Sequence, residues 1–161
     1  MLKNKKIRNK SIYNRPRYWY HVSTTLENKL EHLIPRDFEA GFNRTPSEPL
    51  GSRICVSPTI EQCIVAIPYH LGDTIAIYRT VNKVSAKAPE GVFDKNVTDE
   101  GWLEESTDFV KIGMLDFQLV ETKLKIKNVI PPSASGDEPA YCGKVLKWWK
   151  KAKIKRFIEK T

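Results

Sequence analysis

The sequence predicts a mixed α+β domain, in which strands and short helices alternate early and strands follow one another later. Runs rich in β-branched and aromatic residues predict strands at 18–22, 53–56 and 73–80. Apolar residues at three- and four-residue spacing predict helices at 26–33 and 58–67. Three further strand-like runs, expected to pair mostly antiparallel, lie at 109–112, 115–120 and 124–127.

His21 lies where aromatic, extended sequence changes to helical sequence. Thr24 followed by Glu27 is a capping-box pattern, which predicts that a helix begins directly after the His21 strand. A histidine at such a strand end either anchors the turn through a hydrogen bond or faces a ligand. The residues around His21 leave both interpretations open.

The middle of the chain begins with a long irregular loop, predicted at 35–52 from its prolines, glycines and polar residues. Loops of this length are usually functional or mobile, and this one could fold over a site. Ser57 and Pro58 then predict a helix start, with a capping hydroxyl and proline at the first helical position. Cys63 lies on the apolar face of that helix and is interpreted as a packing residue.

Residues 96–105 place four carboxylates beside Trp102, with little helical or strand periodicity. A solvated acidic turn is the simplest explanation. In a chain with many cations, however, acidic groups next to an aromatic ring also favour holding a positively charged group. After a linker at 131–139, a short basic helix and then an extended end are predicted, with Trp148 and Trp149 either packed inward or available for stacking.

The formal net charge of +8 suits a polyanionic partner such as nucleic acid, a nucleotide or an acidic protein surface. A cationic coat that maintains solubility explains the charge equally well. The positive charges concentrate at both ends of the chain. They comprise Lys3, Lys5, Lys6, Arg8, Lys10, Arg15 and Arg17 at one end and Lys144, Lys147, Lys150, Lys151, Lys153, Lys155 and Arg156 at the other.

Several classes of protein are disfavoured by the motifs. The three cysteines show no CxxC spacing, so neither a disulfide framework nor a metal site is expected. Dinucleotide-fold, P-loop, nucleophile-elbow and zincin motifs do not occur. The basic start of the sequence has no apolar run behind it, so we expect neither a secretory signal nor a membrane span, and a cytoplasmic compartment.

Three separated segments resemble the small bacterial ADP-ribosyltransferases similar to rifampin ADP-ribosyltransferase. Tyr20-His21-Val22-Ser23 resembles the family's YHGT strand end, and the segment from Ile54 to Glu61 resembles its VYFTATLDAA strand-to-helix segment. Ile77-Tyr78-Arg79, followed by Asn96-Val97-Thr98-Asp99, resembles its IYRV strand and NVTD segment. Order and approximate spacing agree over residues 18–121. A small basic chain of this kind fits a bacteriophage as readily as a bacterial chromosome.

The resemblance implies an ADP-ribosyltransferase-like split β-sheet that binds NAD in the cleft between two small sheets. His21 would contact the ribose on the nicotinamide side, and Asp99 matches the family's acidic residue. The family's tyrosine beside the nicotinamide is replaced by Cys55, whose thiol has no aromatic face. The candidate NAD-contacting residues are Tyr20, Ser23, Arg53, Cys55, Tyr78, Arg79 and Trp102.

The function implied is transfer of ADP-ribose from NAD to an unknown acceptor, with release of nicotinamide. Arg53, Arg79 and Arg17 are phosphate-binding candidates, although an ion pair or surface charge explains Arg53 and Arg79 equally well. Two alternatives remain: an inactive protein that binds NAD, ADP-ribose or a signalling nucleotide, and a basic module for nucleic acid or protein. The expected organisation is a basic N-terminal arm at 1–16, the ADP-ribosyltransferase-like domain at 17–130, and a linker with a basic helix at 131–161.

Overall fold

The computed structural model describes residues 12–23, 30–37, 48–66, 74–124 and 138–161. The described residues form short strands and helices that confirm the α+β class. In chain order the elements are β1 (Tyr20–Ser23), β2 (Leu30–Leu33), β3 (Arg36–Asp37), β4 (Ser52–Val56), α1 (Ile60–Val65), β5 (Thr74–Thr80), α2 (Lys95–Thr98), β6 (Gly101–Leu103), β7 (Thr107–Asp116), α3 (Phe117–Leu124), α4 (Glu138–Ala152), a 3-10 helix (Ile154–Phe157) and β8 (Glu159–Lys160).

The described strands form two antiparallel sheets. The larger sheet has the order β1-β5-β7-β2, and β8 also pairs with β7. The smaller sheet has the order β3-β4-β6. The sheets meet where Tyr20 and Ser57 exchange two backbone hydrogen bonds of 2.9 and 3.0 Å. This junction joins the first strand of the large sheet to the residue that follows β4.

Two apolar clusters lie on opposite faces of the large sheet. The helix-side core packs α1, α3 and α4 against that sheet and contains Ile60, Ile64, Val65, Ile75, Ile77, Leu115, Phe117, Val120, Cys142, Trp149 and Ile154. The inter-sheet core lies between the two sheets and contains Trp19, Ile54, Val56, Ala76, Tyr78, Ala86, Leu103 and Phe109. Strand β5 supplies residues to both clusters because successive side chains of a strand point to opposite faces.

Residues 30–33 form a strand, so the helix predicted at 26–33 is wrong over its described part. Leu30 to Leu33 pair with Val110 to Thr107 of β7. A backbone that completes a sheet satisfies its hydrogen bonds with a distant partner, and this outweighs a weak helical periodicity. The capping pair Thr24 and Glu27 lies outside the described residues.

Helix α1 begins two residues later than predicted. Ser57 is 2 % exposed and its backbone is engaged by Tyr20, so it serves the sheet junction and not a helix cap. Thr59 is the N-cap, because its side-chain oxygen accepts the backbone amide of Gln62 at 3.2 Å. The packing role predicted for Cys63 is confirmed by its 5 % exposure.

The strand predicted at 109–112 is confirmed as part of a longer strand, whereas the strand predicted at 115–120 is wrong after Asp116. One ten-residue strand, β7, runs to Asp116, and helix α3 follows at once. Asp116 initiates that helix, because its Oδ1 accepts the amide of Leu119 at 3.1 Å. Phe117 and Val120, one helical turn apart, then both pack into the helix-side core.

Residues 95–103 are more regular than the predicted turn, because they contain α2 and β6. The basic C-terminal helix is confirmed and is longer than predicted, since α4 begins at Glu138 and ends at Ala152. The inward packing of Trp149 is confirmed by its 2 % exposure. The extended end is replaced by the 3-10 helix and the two-residue strand β8.

The described part of the N-terminal arm lies against the domain. Tyr13 stacks on Trp19 with 6.2 Å between ring centroids, and its carbonyl accepts the amide of Ala86 at 3.1 Å. Within the described ranges, no helix has the length and apolar character needed to cross a bilayer.

Candidate functional site

His21 lies on β1, at the place where the two sheets meet. Its neighbours Tyr20 and Val22 pack against the helix-side core, so the alternation of the strand directs His21 to the inter-sheet face. There its ring centroid is 6.0 Å from that of Phe109, and its Nδ1 is 3.0 Å from the carbonyl oxygen of Cys55. Because a carbonyl oxygen only accepts hydrogen bonds, Nδ1 carries the proton and donates it. His21 therefore ties β1 to β4.

The sheet junction beside His21 is reinforced by a buried thiol. The carbonyl oxygen of Tyr20 accepts hydrogen bonds from the amide of Ser57 and from the Sγ of Cys63, the latter at 2.9 Å. Burial raises the pKa of Cys63 to about 12, so this thiol stays protonated and donates at neutral pH. Three hydrogen-bond donors thus fix β1 relative to α1 and β4: the imidazole of His21, the backbone amide of Ser57 and the thiol of Cys63.

A cluster of buried and partly buried groups, which we term the Arg53 cluster, lies on the face of β4 and β6 that points away from the inter-sheet core. It consists of Glu48, Arg53, Cys55, Glu100 and Trp102. The guanidinium of Arg53 lies 4.0 Å from the ring centroid of Trp102. Its Nη1 donates to the carbonyl of Pro49 at 3.0 Å, and its Nη2 pairs with Glu48 at 3.2 Å. The cation predicted to sit beside Trp102 is therefore an arginine of the same chain.

Glu100 completes the Arg53 cluster. Its Oε1 accepts the indole Nε1 hydrogen bond of Trp102 at 2.7 Å, and its carboxyl group also accepts the thiol of Cys55. Burial raises the pKa of Glu100, while these two hydrogen bonds oppose the shift by stabilising the carboxylate. Burial, together with the neighbouring charge of Glu100, raises the pKa of Cys55 well above its usual value. Cys55 therefore remains a thiol that donates to Glu100.

Asp99 is held by a separate network. It ends α2 in the left-handed conformation, with φ 46°, and its Oδ2 accepts the side-chain amide of Gln62 at 2.8 Å. The carbonyl oxygen of that Gln62 amide in turn accepts the hydroxyl of Thr59 at 2.7 Å. The carboxylate of Asp99 is thus directed at α1, whereas the imidazole of His21 is directed at Cys55.

The predicted site residues fall into three groups. His21 and Ser23 lie on the same face of β1, and Arg53, Cys55 and Trp102 belong to the Arg53 cluster. Tyr20 and Arg79, cross-strand partners, form the third group on the opposite face of the large sheet. Two further candidates lie apart: Asp99 on its own network and Tyr78 in the inter-sheet core.

Three of these positions limit which rings and cations a ligand can reach. Tyr78 is 0 % exposed, so its ring has no face open to a ligand. The guanidinium of Arg79 lies 4.6 Å from the ring centroid of Tyr18, which is itself 38 % exposed. Arg53 is 5 % exposed, and the structural ion pair left open by the sequence is the interpretation that its contacts support.

Glu100 is the residue that sequence reasoning missed. Glu100 is one of the four carboxylates at 96–105, but the match to the NVTD segment indicates Asp99 as the acidic site residue. The available signal was its position two residues before Trp102, since a buried indole N–H needs an acceptor. Glu100 and His21 both contact Cys55: the carboxyl group of Glu100 accepts a hydrogen bond from its thiol, and the imidazole of His21 donates to its backbone carbonyl.

An open cleft of about 450 Å³ lies between segment 82–87 and the turn from β6 to β7. Trp102 lines it, together with the carboxylates of Glu104, Glu105 and Asp108. Lys87, also in the lining, pairs with Glu104 at 3.0 Å. The other candidate residues do not line this cleft.

Among the residues that the structure describes, no group of three or more histidine, cysteine or acidic side chains is arranged to hold a metal ion. Comparison of the chain with family models, characterised proteins and solved structures finds no match.

Proposed function

We propose that this protein binds NAD and transfers its ADP-ribose unit to an acceptor, releasing nicotinamide, on an ADP-ribosyltransferase-like split sheet. The observation that carries the proposal is the position of His21 at the junction of two antiparallel sheets. The segments of the resemblance also lie on matching elements. Tyr20–Ser23 is a strand, Ile54 to Glu61 passes from strand to helix, and Ile77 to Arg79 is a strand.

The chemistry of the transfer explains what the site has to supply. Cleavage of the bond between ribose and nicotinamide develops positive charge on the ribose carbon, so a fixed carboxylate stabilises the transition state more than the ground state. Positioning of the sugar also lowers the barrier, and effects of this kind reach about 7 kcal/mol or more in well-oriented reactions. His21 would position the ribose, and Asp99, which matches the family's acidic residue, would supply the carboxylate.

The packing between the sheets restricts where a dinucleotide fits. Trp19, Tyr78 and Phe109 fill the middle of the inter-sheet space, and each is 0 % exposed. NAD would therefore approach at the end of β1, where His21 and Ser23 are both partly exposed. Of the two arginine candidates for the phosphates, Arg53 is already paired with Glu48, and Arg79 lies beside Tyr18 on the opposite face of the large sheet from His21.

A second candidate function, nucleotide binding without turnover, is favoured by the contacts of two residues. The carboxylate of Asp99 accepts the amide of Gln62, and a thiol at Cys55 replaces the aromatic ring that would flank nicotinamide. A protein with these two features would keep the fold and the ribose contact while lacking the stabilisation of the transition state. Its ligand would be NAD, ADP-ribose or a related signalling nucleotide.

The test is incubation with NAD, with nicotinamide release followed by chromatography and nucleotide binding by calorimetry. His21→Gln keeps a polar side chain and removes the imidazole, and His32→Gln is the matched control because His32 is exposed and pairs with Asp108. We expect His21→Gln to lower turnover by about 100-fold, the scale of a misplaced substrate, and His32→Gln to leave it unchanged.

Three results separate the possibilities. Turnover that depends on His21 supports the transferase. Tight binding that depends on His21, without nicotinamide release, supports the second candidate. If the wild-type protein neither binds nor cleaves NAD or ADP-ribose, both proposals are wrong.

A further inference from the structure

The described C-terminal segment, residues 142–161, presents a dense array of positive charge. It carries eight lysine or arginine side chains and one acidic side chain, Glu159. All eight cations are exposed, and we term them the basic face. They are Lys144, Lys147, Lys150, Lys151, Lys153, Lys155, Arg156 and Lys160.

The backbone that carries the basic face is packed against the rest of the domain. Trp149 is 2 % exposed and packs on Phe117 with ring centroids 5.7 Å apart, and Ile154 is fully buried. Lys153 adopts the left-handed conformation, with φ 55°, and turns the chain from α4 into the 3-10 helix. Strand β8 then pairs with Gly113 and Met114 of β7. These contacts fix the segment while its cations point to solvent.

Among the residues that the structure describes, no carboxylate forms an ion pair with a cation of the basic face. The ion pairs there include His32–Asp108, Arg53–Glu48 and Lys87–Glu104, which lie outside this segment. Side chains three or four residues apart on a helix lie about 5–6 Å apart at Cβ. That spacing is shorter than the Debye length of about 8 Å at physiological salt, so the lysines of α4 repel one another.

We propose that the basic face binds the phosphate backbone of nucleic acid. A polyanion relieves the mutual repulsion and releases its own condensed counterions, which drives association. From Lys144 to Lys151 the helix rises about 10 Å, a span over which duplex DNA presents several phosphates at its spacing of about 1.7 Å per charge. This inference is independent of the proposed ADP-ribosyl transfer.

The same residues favour nucleic acid over an anionic membrane. A helix that binds in the bilayer interface needs exposed large apolar side chains to bury among the lipids. The exposed large apolar residues among those described lie elsewhere in the chain: Tyr18, Ile34, Leu50, Val81, Phe93 and Leu119. Residues 142–161 also contain no Asn or Gln, the side chains that pair with adenine edges, so we expect contacts to the phosphate backbone to dominate.

The experiment measures fluorescence anisotropy of a short labelled DNA duplex and of its single strand at increasing salt. If about five cations contact phosphates, log Kd changes with log salt with a slope of about 4.5 for the duplex and about 3.5 for the single strand. Raising salt from about 50 to about 200 mM then weakens duplex binding by roughly 500-fold and single-strand binding by roughly 100-fold.

Two charge-matched variants locate the surface. Lys144→Glu/Lys147→Glu/Lys151→Glu reverses three charges on the basic face, and Lys83→Glu/Lys95→Glu/Lys123→Glu reverses three exposed lysines elsewhere. Both lower the net charge by the same amount. We expect the first to reduce the duplex salt slope by about 2.7 and the second to leave most of it. Circular dichroism and thermal melting show whether both variants are folded.

The outcomes are decisive in either direction. Loss of binding confined to the basic-face variant supports the proposal. Equal loss in both variants shows that diffuse net charge suffices and overturns it. Binding to phosphatidylserine vesicles or to polyglutamate that is as tight as binding to DNA, at the same salt, also overturns it, because the face would then not select nucleic acid.

Discussion

Two glycines offer a pair of identical substitutions with opposite expected effects on stability. A Cβ built on Gly113 of β7 would lie 2.5 Å from Cγ2 of Ile158 and 2.6 Å from the carbonyl oxygen of Glu159. A Cβ built on Gly143 of α4 would meet no atom within 4 Å. Gly113→Ala is therefore predicted to destabilise the protein, and Gly143→Ala to stabilise it.

The magnitudes follow from the two environments. At Gly113 the obstacle includes backbone, which cannot rotate away, so we expect the upper half of the usual overpacking cost, about 2–3 kcal/mol. The lower conformational freedom of unfolded alanine offsets about 0.5–1 kcal/mol of this cost, leaving a net loss of about 1–2 kcal/mol. At Gly143, inside a helix, the same change stabilises by about 0.5–1 kcal/mol.

Thermal and urea unfolding measure both values. For a chain of this size the melting temperature is expected to fall by roughly 2–8 °C for Gly113→Ala and to rise by roughly 1–4 °C for Gly143→Ala. Hydrogen exchange should show faster exchange at Lys160, whose backbone pairs with Gly113, in the first variant alone. A neutral or stabilising Gly113→Ala would mean that β8 does not pack on β7, and would remove one anchor of the basic face.

Three further predictions concern buried polar groups. Arg53→Met removes the cation that pairs with the buried carboxylate of Glu48 and is expected to cost about 3–5 kcal/mol in urea unfolding. The pKa of Glu100 is raised in the folded protein, so Glu100 contributes to stability in full below its ordinary pKa of 4.5. That contribution is lost as pH rises through the raised pKa. Glu100→Gln should therefore flatten the decline of the free energy of unfolding over this pH range. The thiols of Cys55 and Cys63, whose pKa values are raised by burial, should react slowly with a disulfide reagent at pH 8 until urea unfolds the chain.

Exposed residues supply the controls for these predictions. Lys87→Met removes a solvent-exposed ion pair with Glu104 and should leave the urea midpoint almost unchanged. Glu105→Gln, also exposed, should not alter the pH dependence of stability. If Lys87→Met were as costly as Arg53→Met, or if Cys55 reacted rapidly in the native protein, the burial of the Arg53 cluster would be contradicted.

Local patterns in the sequence were sufficient to predict β1, β4, β5, α1 and α4. In each case a run of apolar or β-branched residues coincides with burial on one or both faces in the structure. The α+β class followed from these elements, because it depends on the type and order of the elements, and each type is predicted from neighbouring residues. The prediction of Cys63 as a packing residue succeeded for the same reason, and of the two roles left open for Trp149 the structure shows inward packing.

Long-range pairing decided the elements that sequence reasoning misread. Leu30–Leu33 became a strand because β7, which lies about 77 positions later in the register, offers it a hydrogen-bonding edge. Ser57 lost its predicted capping role to Tyr20, a residue of another strand. Neither partner is visible in a short window of sequence.

The features of the candidate site likewise separate into those that local sequence predicts and those that depend on tertiary contacts. The sequence identified His21 at a strand end and the acidic residues beside Trp102, since both are features of neighbouring residues. Only the folded chain revealed that His21 donates to Cys55, that Arg53 supplies the cation over Trp102, and that Glu100 is the carboxylate joined to Cys55. The strength of such contacts, and the pKa values that they shift, depend on burial, and burial arises when segments far apart in the chain exclude water from one another.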